Sequence, residues 1–292
     1  MTEILDGRKT SAEIREELKQ EISSLKEKGI TPGFAGILVG EDPSSADYIR
    51  LKEKASQELG IYSEMVRLAE TITEEGLLKE IDRLNSDAKI HGIFIQLPLP
   101  GHIDENKALN TVSPDKDVDG FHPTNVGKAW LGQKAFLPAT PVGIYEILIR
   151  YGYKDLKGKS MVIVNVDNLV GKPLASIFAQ ENIGVNVTLC HPFIPNLPDY
   201  TRGADIVVVS VNKPKFITAD MVKEGVIAID FGANYIEDPT STKKKLVGDL
   251  DFDAIKEKAE AITPVPGGIG PMTVTMLLLN TVTAAKLSAG PA

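Results

Sequence analysis

Residues 161–173, MVIVNVDNLVGKP, decide the fold: an apolar, β-branched run leads into a polar turn and the start of a helix. Three more such runs follow, at Val185–Leu189, Ile206–Val211 and Val226–Asp230. Strands that are apolar throughout are covered on both faces, as in a doubly wound parallel sheet. The second half of the chain is therefore predicted to be a doubly wound α/β domain.

The turn from Asn165 to Pro173 lies where a strand passes into a helix. In a dinucleotide-binding fold this is the place where the pyrophosphate meets the helix N-terminus. Of the usual glycine fingerprint only Gly171 is present, so the turn taken alone is a weak nucleotide signal.

The first third of the chain also alternates helices and strands. Apolar residues recur on one face of a predicted helix that stops near Gly29, and these residues are Ile14, Leu18, Ile22 and Leu25. Predicted strands follow at 34–39, 62–68 and 93–95, with helices between them. This β-α-β-α-β order predicts a second parallel sheet. The passage between the domains is placed near an apolar helix that opens at Pro141.

Composition bounds the function. A chain of 292 residues fits two domains. The net charge of −8 argues against non-specific nucleic-acid binding. The single cysteine, Cys190, excludes a disulfide framework and a multi-cysteine metal site, and no metal is expected. With neither an apolar run of membrane-spanning length nor a signal-peptide pattern at the N-terminus, a cytoplasmic protein without membrane contact is expected.

Tyr48 and Lys52 lie four residues apart on a predicted helix, so their side chains share one face. A lysine whose pKa is lowered by burial can transfer protons beside a phenol hydroxyl. On spacing alone, an exposed helix pair is the commoner interpretation. Short-chain dehydrogenases use the same spacing after an N-terminal nucleotide loop; here the pair precedes the candidate nucleotide sheet, which disfavours that family.

Two loops carry further polar candidates. Gln96 directly follows a predicted strand and begins the stretch QLPLP, where its amide can meet a polar ring edge or simply face solvent. The loop DKDVDG, residues 115–120, holds three carboxylates but lacks the glutamate of an EF-hand. One buried aspartate there can accept two hydrogen bonds from a ring, although a solvated acidic turn is the usual alternative.

The segment from Thr263 to Thr273 has three glycines between prolines and is predicted to open a helix at Thr273. Such glycines permit close backbone approach to a flat ligand, so a binding role is favoured over a structural elbow. The four histidines lack metal-ligand spacing and are interpreted as structural. No nucleophile elbow supports a hydrolase triad.

Together these segments resemble the bifunctional methylenetetrahydrofolate dehydrogenase/cyclohydrolase family. The matching segments are collinear and cover nearly the whole chain. They are GEDPSSADY at 40–48 with Lys52, QLPLP at 96–100, KDVDG at 116–120, PATP at 138–141, VGKP at 170–173, and residues 263–273.

The resemblance implies an N-terminal catalytic domain (residues 1–140 with 273–292), a Rossmann domain (141–272), and a cleft between them for the folate. It implies oxidation of 5,10-methylenetetrahydrofolate by hydride transfer to NAD(P)+, then hydrolysis of the methenyl product to 10-formyltetrahydrofolate. It implies that Lys52 is the central catalytic residue, assisted by Tyr48 and Gln96, and that Asp119, also counted as catalytic, holds the pterin ring. The implied folate-binding residues are Ser45, Tyr48, Gln96, Leu97, Pro98, Asp119, Pro266, Gly267 and Gly270. The implied cofactor-binding residues are Asn165, Val166, Asp167, Leu169, Val170, Gly171, Pro192, Asn212 and Thr273.

Departures from the family pattern concentrate in the nucleotide half. Val166 and Pro192 stand where the family has the arginine and serine that contact the 2′-phosphate of NADP, and Asp167 adds a negative charge. Asn212 stands in place of a usual glycine, and Ala139 in place of a usual cysteine. A lost charge-assisted contact costs about 1.5–3 kcal/mol. NAD is therefore expected rather than NADP.

A second hypothesis stays open at this point: a monofunctional cyclohydrolase, or a folate-binding protein, with a decayed nucleotide site. Whether the carrier is tetrahydrofolate or a related pterin is also left open. As the family is usually homodimeric, a homodimer is expected.

Overall fold

The computed structural model describes residues 1–237 and 244–290 and, within these, all side chains except those of 43–48. The elements up to residue 130 are β1 (Glu3–Ile4), α1 (Gly7–Glu27), β2 (Gly33–Val39), α2 (Pro43–Leu59), β3 (Tyr62–Leu68), α3 (Glu74–Ser86), β4 (Gly92–Ile95), α4 (Glu105–Thr111) and α5 (Pro123–Trp130).

The remaining elements begin at residue 139. They are α6 (Ala139–Arg150), β5 (Ser160–Val164), α7 (Gly171–Phe178), β6 (Asn186–Cys190), α8 (Leu197–Thr201), β7 (Ile206–Val209), β8 (Ile227–Asp230), β9 (Asn234–Ile236), β10 (Lys245–Val247), α9 (Phe252–Lys256), β11 (Ala261–Ile262) and α10 (Ile269–Ser288). No helix in the described part of the chain combines the length and the apolar character needed to cross a membrane.

The chain divides into two compact units. The three-stranded unit comprises Ala12–Ala139 and Val274–Ala292. The six-stranded unit comprises Met1–Ser11 and Thr140–Thr273. The sequence placed residues 1–11 with the catalytic half, whereas in the structure they belong to the other unit. The reason is pairing: β1 lies parallel to β11, with Glu3 opposite Ala261.

The three-stranded unit has a parallel sheet in the order β3-β2-β4, as the alternating pattern predicts. All seven residues of the central strand β2 are buried, because helices cover a parallel sheet on both faces. The apolar face of α1 is buried as expected at Ile14, Leu18, Ile22 and Leu25, and the helix stops before Gly29, whose φ is +78°.

The six-stranded unit has a parallel sheet in the order β1-β11-β8-β7-β5-β6. The four strands predicted in this half are all present, with ends within two residues of the prediction. From β5 the chain moves outward to β6 and then returns to β7 on the other side, so the strand order reverses between β5 and β7. Ligands of open α/β sheets bind at the carboxyl ends of strands at such a reversal. The predicted doubly wound fold class is confirmed.

Candidate functional site

Lys52 lies on α2 with only 7% of its surface exposed. Its ammonium group lies 3.8 Å from the centroid of the Phe94 ring, a cation–π distance. The ring fits there because β2 carries Gly36 opposite it: a Cβ on Gly36 would come within 2.4 Å of the Phe94 ring. On spacing alone an exposed helix pair is the commoner interpretation, but in the structure Lys52 is buried.

Lys52 and Asp119 influence one another electrostatically. Burial lowers the pKa of Lys52, and the negative charge of Asp119 partly offsets this. Burial raises the pKa of Asp119 from its ordinary 3.8 to about 6; the charge of Lys52 opposes the shift and that of Asp117 adds to it. The neutral amine and the protonated carboxyl are thus both more accessible near neutral pH than in water. Such a pair is suited to moving protons.

Asp119 reaches this position because its loop runs beside β4. Ile93 and Asp117 form a parallel bridge, and the Ile93 amide donates to the carbonyl of Lys116 at 2.6 Å. Asp119 follows Asp117 by two residues, and Gln96 follows the last residue of β4, so both lie near the carboxyl end of this strand. The two polar loops singled out in the sequence therefore belong to one edge of one sheet.

Asp117 holds this loop in place. Its carboxylate accepts hydrogen bonds from the amides of Phe121 (3.2 Å) and His122 (2.9 Å) and from Asn125 Nδ2 (2.8 Å). The loop therefore holds two aspartates in different roles. Asp117 is 4% exposed and its carboxylate is used by hydrogen bonds within the chain. Asp119, the aspartate expected to bind a ring, is half-buried.

Gln96 is half-buried, and its Oε1 is the one buried side-chain nitrogen or oxygen atom without a hydrogen-bond partner among the described residues. Its Nε2 donates to the carbonyl of Leu97 at 3.1 Å. Leu97 packs against the core of the three-stranded unit and Pro98 is exposed. Burying an amide oxygen without a hydrogen bond costs about 1–3 kcal/mol of folding free energy. The Oε1 atom of Gln96 is therefore a candidate acceptor for a hydrogen bond from a ligand.

Ser45 and Tyr48 lie on α2, but their side chains fall outside the described residues. The helical spacing of Tyr48 and Lys52 is present, since α2 is continuous from Pro43 to Leu59. The predicted contact between the two side chains stays a prediction.

Pro266, Gly267 and Gly270 belong to the six-stranded unit, between β11 and the first turn of α10. The helix begins at Ile269, so the predicted start at Thr273 is wrong by one turn. Gly267 has a φ of +115°, and its carbonyl accepts from the Gly7 amide at 2.9 Å. The glycines thus allow the backbone of this segment to lie close to the start of α1.

The turn from Asn165 to Gly171 is closed by its own side chains. Asp167 Oδ1 accepts from the amides of Leu169 (2.9 Å) and Val170 (2.7 Å), and Asn165 Oδ1 accepts from that of Gly171 (3.0 Å). These contacts satisfy amides that the start of α7 leaves free. Gly171 is required here, since its Cβ would lie 2.2 Å from the Asn165 carbonyl oxygen.

The surroundings of this turn carry an apolar and aromatic surface. Val166 and Pro192 are both half-buried. Phe193, which follows β6, is 72% exposed, and its ring centroid lies 4.9 Å from that of His191. The ammonium of Lys213 lies 5.1 Å from the same ring.

Asn212 has a φ of +55°, which explains why a glycine is usual at this position. Its amide donates to Asp249 Oδ2 at 3.0 Å, and the amide of Lys213 donates to Asp249 Oδ1 at 2.7 Å. Asp249 is fully buried, so it fixes the turn that follows β7. Thr273, the last of the predicted cofactor residues, has its hydroxyl 3.0 Å from that of Thr140.

Sequence reasoning missed Phe94 and Asp249. Phe94 precedes Gln96 by two residues and so shares its side of the extended chain, which was an available signal. Asp249 lies in a short motif, Gly248-Asp249-Leu250, whose partner loop is 36 residues away along the chain. No local sequence pattern predicts a contact between Asp249 and a loop so far away along the chain.

Comparison with known proteins adds two family models. Residues 5–119 match the catalytic domain of tetrahydrofolate dehydrogenase/cyclohydrolase, and residues 138–289 match its NAD(P)-binding domain.

The chain is 54% identical over 290 residues to the bifunctional protein FolD of Dehalococcoides mccartyi, which covers 98% of both chains. The crystal structure of the bifunctional enzyme FolD, a methylenetetrahydrofolate dehydrogenase/cyclohydrolase from Campylobacter jejuni, superposes with a TM-score of 0.94 at 46% identity, covering 99% of this chain and 100% of the other. The Trypanosoma brucei enzyme, complexed with NADP and an inhibitor, gives a TM-score of 0.93 at 36% identity over 99% of each chain.

Proposed function

The chain belongs to the tetrahydrofolate dehydrogenase/cyclohydrolase family, and from this premise we propose that it oxidises 5,10-methylenetetrahydrofolate with NAD+ and hydrolyses the product to 10-formyltetrahydrofolate. That it is a bifunctional enzyme of this kind follows from the family at this identity and coverage. The preference for NAD and the roles of individual residues are the proposal.

One observation carries the assignment of the catalytic residues: a buried lysine, a half-buried carboxylate and an unpartnered amide oxygen belong to one unit. These are Lys52, Asp119 and Gln96. The carboxylate and the amide oxygen can accept hydrogen bonds from a polar ring, and the amine can accept or donate a proton beside it.

In the oxidation, a hydride leaves the methylene carbon of the substrate and a methenyl cation remains. A bound nicotinamide ring supplies the hydride acceptor. The protein supplies orientation: the Asp119 carboxylate accepts from two adjacent N–H groups of the pterin, and Gln96 Oε1 accepts one further hydrogen bond. No proton need be transferred in this step, so Lys52 has no proton-transfer role in it.

In the hydrolysis, water adds to the methenyl carbon, one ring-side carbon–nitrogen bond breaks, and one proton is released. The neutral amine of Lys52 accepts the proton of the attacking water, and the resulting ammonium then protonates the departing nitrogen. As that carbon–nitrogen bond breaks, the hydroxyl of the adduct becomes the formyl carbonyl, and its proton is the one released to solvent. Burial favours the neutral amine because it lowers the pKa of Lys52. Tyr48, one helical turn earlier on α2, is proposed to assist this transfer.

Six further residues complete the proposed substrate-binding set. In the three-stranded unit we assign Ser45, Leu97 and Pro98 to the folate. In the six-stranded unit we assign Pro266, Gly267 and Gly270, because small and conformationally permissive residues allow a flat ligand to approach the backbone.

The residues after β5 fit a nicotinamide dinucleotide without an additional phosphate. The turn lies where the strand order reverses, and Gly171 allows α7 to start close to β5. Val166 offers no charge, and the exposed Asp167 adds a negative one. A 2′-phosphate beside Asp167 would be repelled, whereas a 2′-hydroxyl would not. This supports NAD as the cofactor.

The test of dehydrogenase activity is the appearance of the reduced nicotinamide absorbance when NAD+ and methylenetetrahydrofolate are mixed with the protein. We expect steady reduction of NAD+. Methenyl hydrolysis without reduction of either NAD+ or NADP+ would instead support a monofunctional cyclohydrolase whose nucleotide site has decayed.

Replacing Gln96 by Met should separate stability from activity. The substitution removes a buried oxygen that has no partner, so we expect the free energy of unfolding to stay within about 1 kcal/mol of wild type while kcat/KM for the folate falls at least about tenfold. Urea unfolding and initial rates measure the two effects. Gln180→Met is the matched control, because Gln180 Nε2 donates to Ser176 at 2.7 Å and lies in the other unit. Equal loss of activity in both variants would contradict the assignment.

Asp119 should set the acid limit of the reaction. Since its pKa is raised to about 6, kcat/KM for the folate should fall as the pH drops through 6, where the carboxylate is lost. Asp119→Asn should remove this limit and lower the plateau value of kcat/KM. An acid limit that persists in Asp119→Asn would assign it to another group.

The effect of Asp119 on stability has the opposite sign. The folded state favours the protonated carboxyl, so the contribution of Asp119 to the free energy of unfolding is largest below pH 3.8 and is lost as the pH rises through 6.

The homodimer and the cytoplasmic location stay predictions. Sedimentation equilibrium tests the first, with a mass of twice 31.6 kDa as the expected result.

A further inference from the structure

Asn280 is a buried amide in an apolar stretch of helix. Its side chain is 7% exposed, and Met276, Leu277 and Val282 on the same helix are fully buried hydrophobics. Burying an amide is costly unless its hydrogen bonds are made. Both protons of Asn280 Nδ2 are used: one goes to the carbonyl of Val118 at 2.8 Å and the other to that of Leu137 at 2.9 Å.

The two carbonyls belong to segments that touch backbone to backbone. Gly120, with a φ of +72°, lies against residues 136–138: its Cβ would come within 2.6 Å of the Leu137 carbonyl carbon and 2.7 Å of the Pro138 nitrogen. Asn280 therefore bridges the turn that carries Asp119 and the segment behind it. Val118 is the residue immediately before Asp119.

The same turn is held on its other side by Asp117. That carboxylate takes the amides of Phe121 and His122, and Asn125 Nδ2 donates both to it and to the carbonyl of Pro114. Asp119 thus projects from a turn that is fixed before it through Val118 and after it through Phe121. The first of these attachments comes from a residue 162 positions away in sequence.

We propose that Asn280 is a positioning residue that sets the direction of Asp119 toward the pterin ring through its hydrogen bonds to the Val118 and Leu137 carbonyls. The proposal rests on the function proposed above for Asp119. Most buried side chains of α10 are apolar, so the amide of Asn280 is explained by the two carbonyls that it holds. A displacement of the turn changes how Asp119 meets the substrate while leaving Lys52 on its own helix, and a misplacement of about 1 Å can cost about a hundredfold in rate.

The test compares Asn280→Ala with Thr281→Val. Thr281 is the next residue of α10, is fully buried, and donates to the carbonyl of Leu277 within the same helix at 3.0 Å. Both substitutions remove a buried hydrogen bond from the same turn, but only the first releases the Asp119 loop. The measurements are the KM values for methylenetetrahydrofolate and for the dinucleotide, kcat, the acid limit of kcat/KM, and the melting temperature.

We expect Asn280→Ala to lower kcat/KM for the folate by about ten- to a hundredfold, with a raised KM for the folate and a changed acid limit, and with the KM for the dinucleotide within about twofold of wild type. Thr281→Val should lower the melting temperature and leave both KM values and the acid limit unchanged. If Asn280→Ala does not fold, Asn280→Ser, which keeps one donor, should give a smaller change in the same direction.

The proposal is overturned if the foldable Asn280 variants keep the wild-type folate KM and acid limit, or if Thr281→Val alters them equally. Wild-type turnover reports on the proposed function independently: a wild type without either activity contradicts that function, whereas an active wild type with unaffected Asn280 variants contradicts the positioning role alone.

Discussion

Replacing Lys52 by Met should lower the rate of methenyl hydrolysis by about 10²- to 10⁴-fold, the usual contribution of a positioned proton-transfer group. Met fills a similar volume beside the Phe94 ring but can neither accept nor donate a proton. The substitution removes the cost of burying the lysine charge, and Asp119, whose pKa is already raised by burial, can take up a proton instead of remaining as an unpaired charge, so the protein should stay folded. Hydrolysis is followed by the loss of methenyl absorbance, and folate binding is measured separately by calorimetry.

The matched control for this experiment is Lys54→Met. Lys54 lies on the same helix, two residues further on, and is exposed. It should hydrolyse the methenyl substrate at the wild-type rate. Normal hydrolysis by Lys52→Met would show that the central catalytic residue has been assigned wrongly. Loss of folate binding along with hydrolysis would assign Lys52 to binding instead.

The double substitution Val166→Arg with Asp167→Ser should convert cofactor preference toward NADP. Arginine adds a charge-assisted contact worth about 1.5–3 kcal/mol, and removing the aspartate relieves repulsion, so kcat/KM for NADP+ relative to NAD+ should rise by about a hundredfold. The serine hydroxyl can replace the carboxylate as acceptor for the Leu169 and Val170 amides, which Asp167 now holds. The turn should therefore keep its shape.

A neutral companion, Val166→Met with Asp167→Ser, separates charge from size. It should recover only the part of the effect that comes from relieved repulsion. Raised salt should weaken the gain in the arginine variant, since an exposed ionic contact is screened. An arginine variant with an unchanged cofactor ratio would mean that the 2′-position of the ribose lies elsewhere.

The fold was predictable because its signals are local. The apolar runs around Met161 and Ile206 are long enough to identify buried strands, and the spacing of Ile14, Leu18 and Ile22 identifies α1. β1 and β11 have only two residues each, which is too short for a periodic pattern that would predict them. For this reason the placement of residues 1–11 did not follow from the pattern.

The candidate site was predictable only in part. Lys52, Gln96 and Asp119 lie in recognisable loops or spacings, and the unit they share follows from the order of strands. The burial of Lys52 over Phe94 depends on Gly36, which belongs to another strand. The attachments made by Asp249 and Asn280 join segments far apart in sequence, and such contacts arise only when the chain has folded.

The most direct measurement of the central claim is kcat/KM for NAD+ and for NADP+, determined side by side with wild-type protein at saturating methylenetetrahydrofolate. With no cation at Val166 and a fixed negative charge at Asp167, NAD+ should be preferred by at least about tenfold, equivalent to about 1.4 kcal/mol. Equal efficiency with the two dinucleotides, or a preference for NADP+, would contradict it.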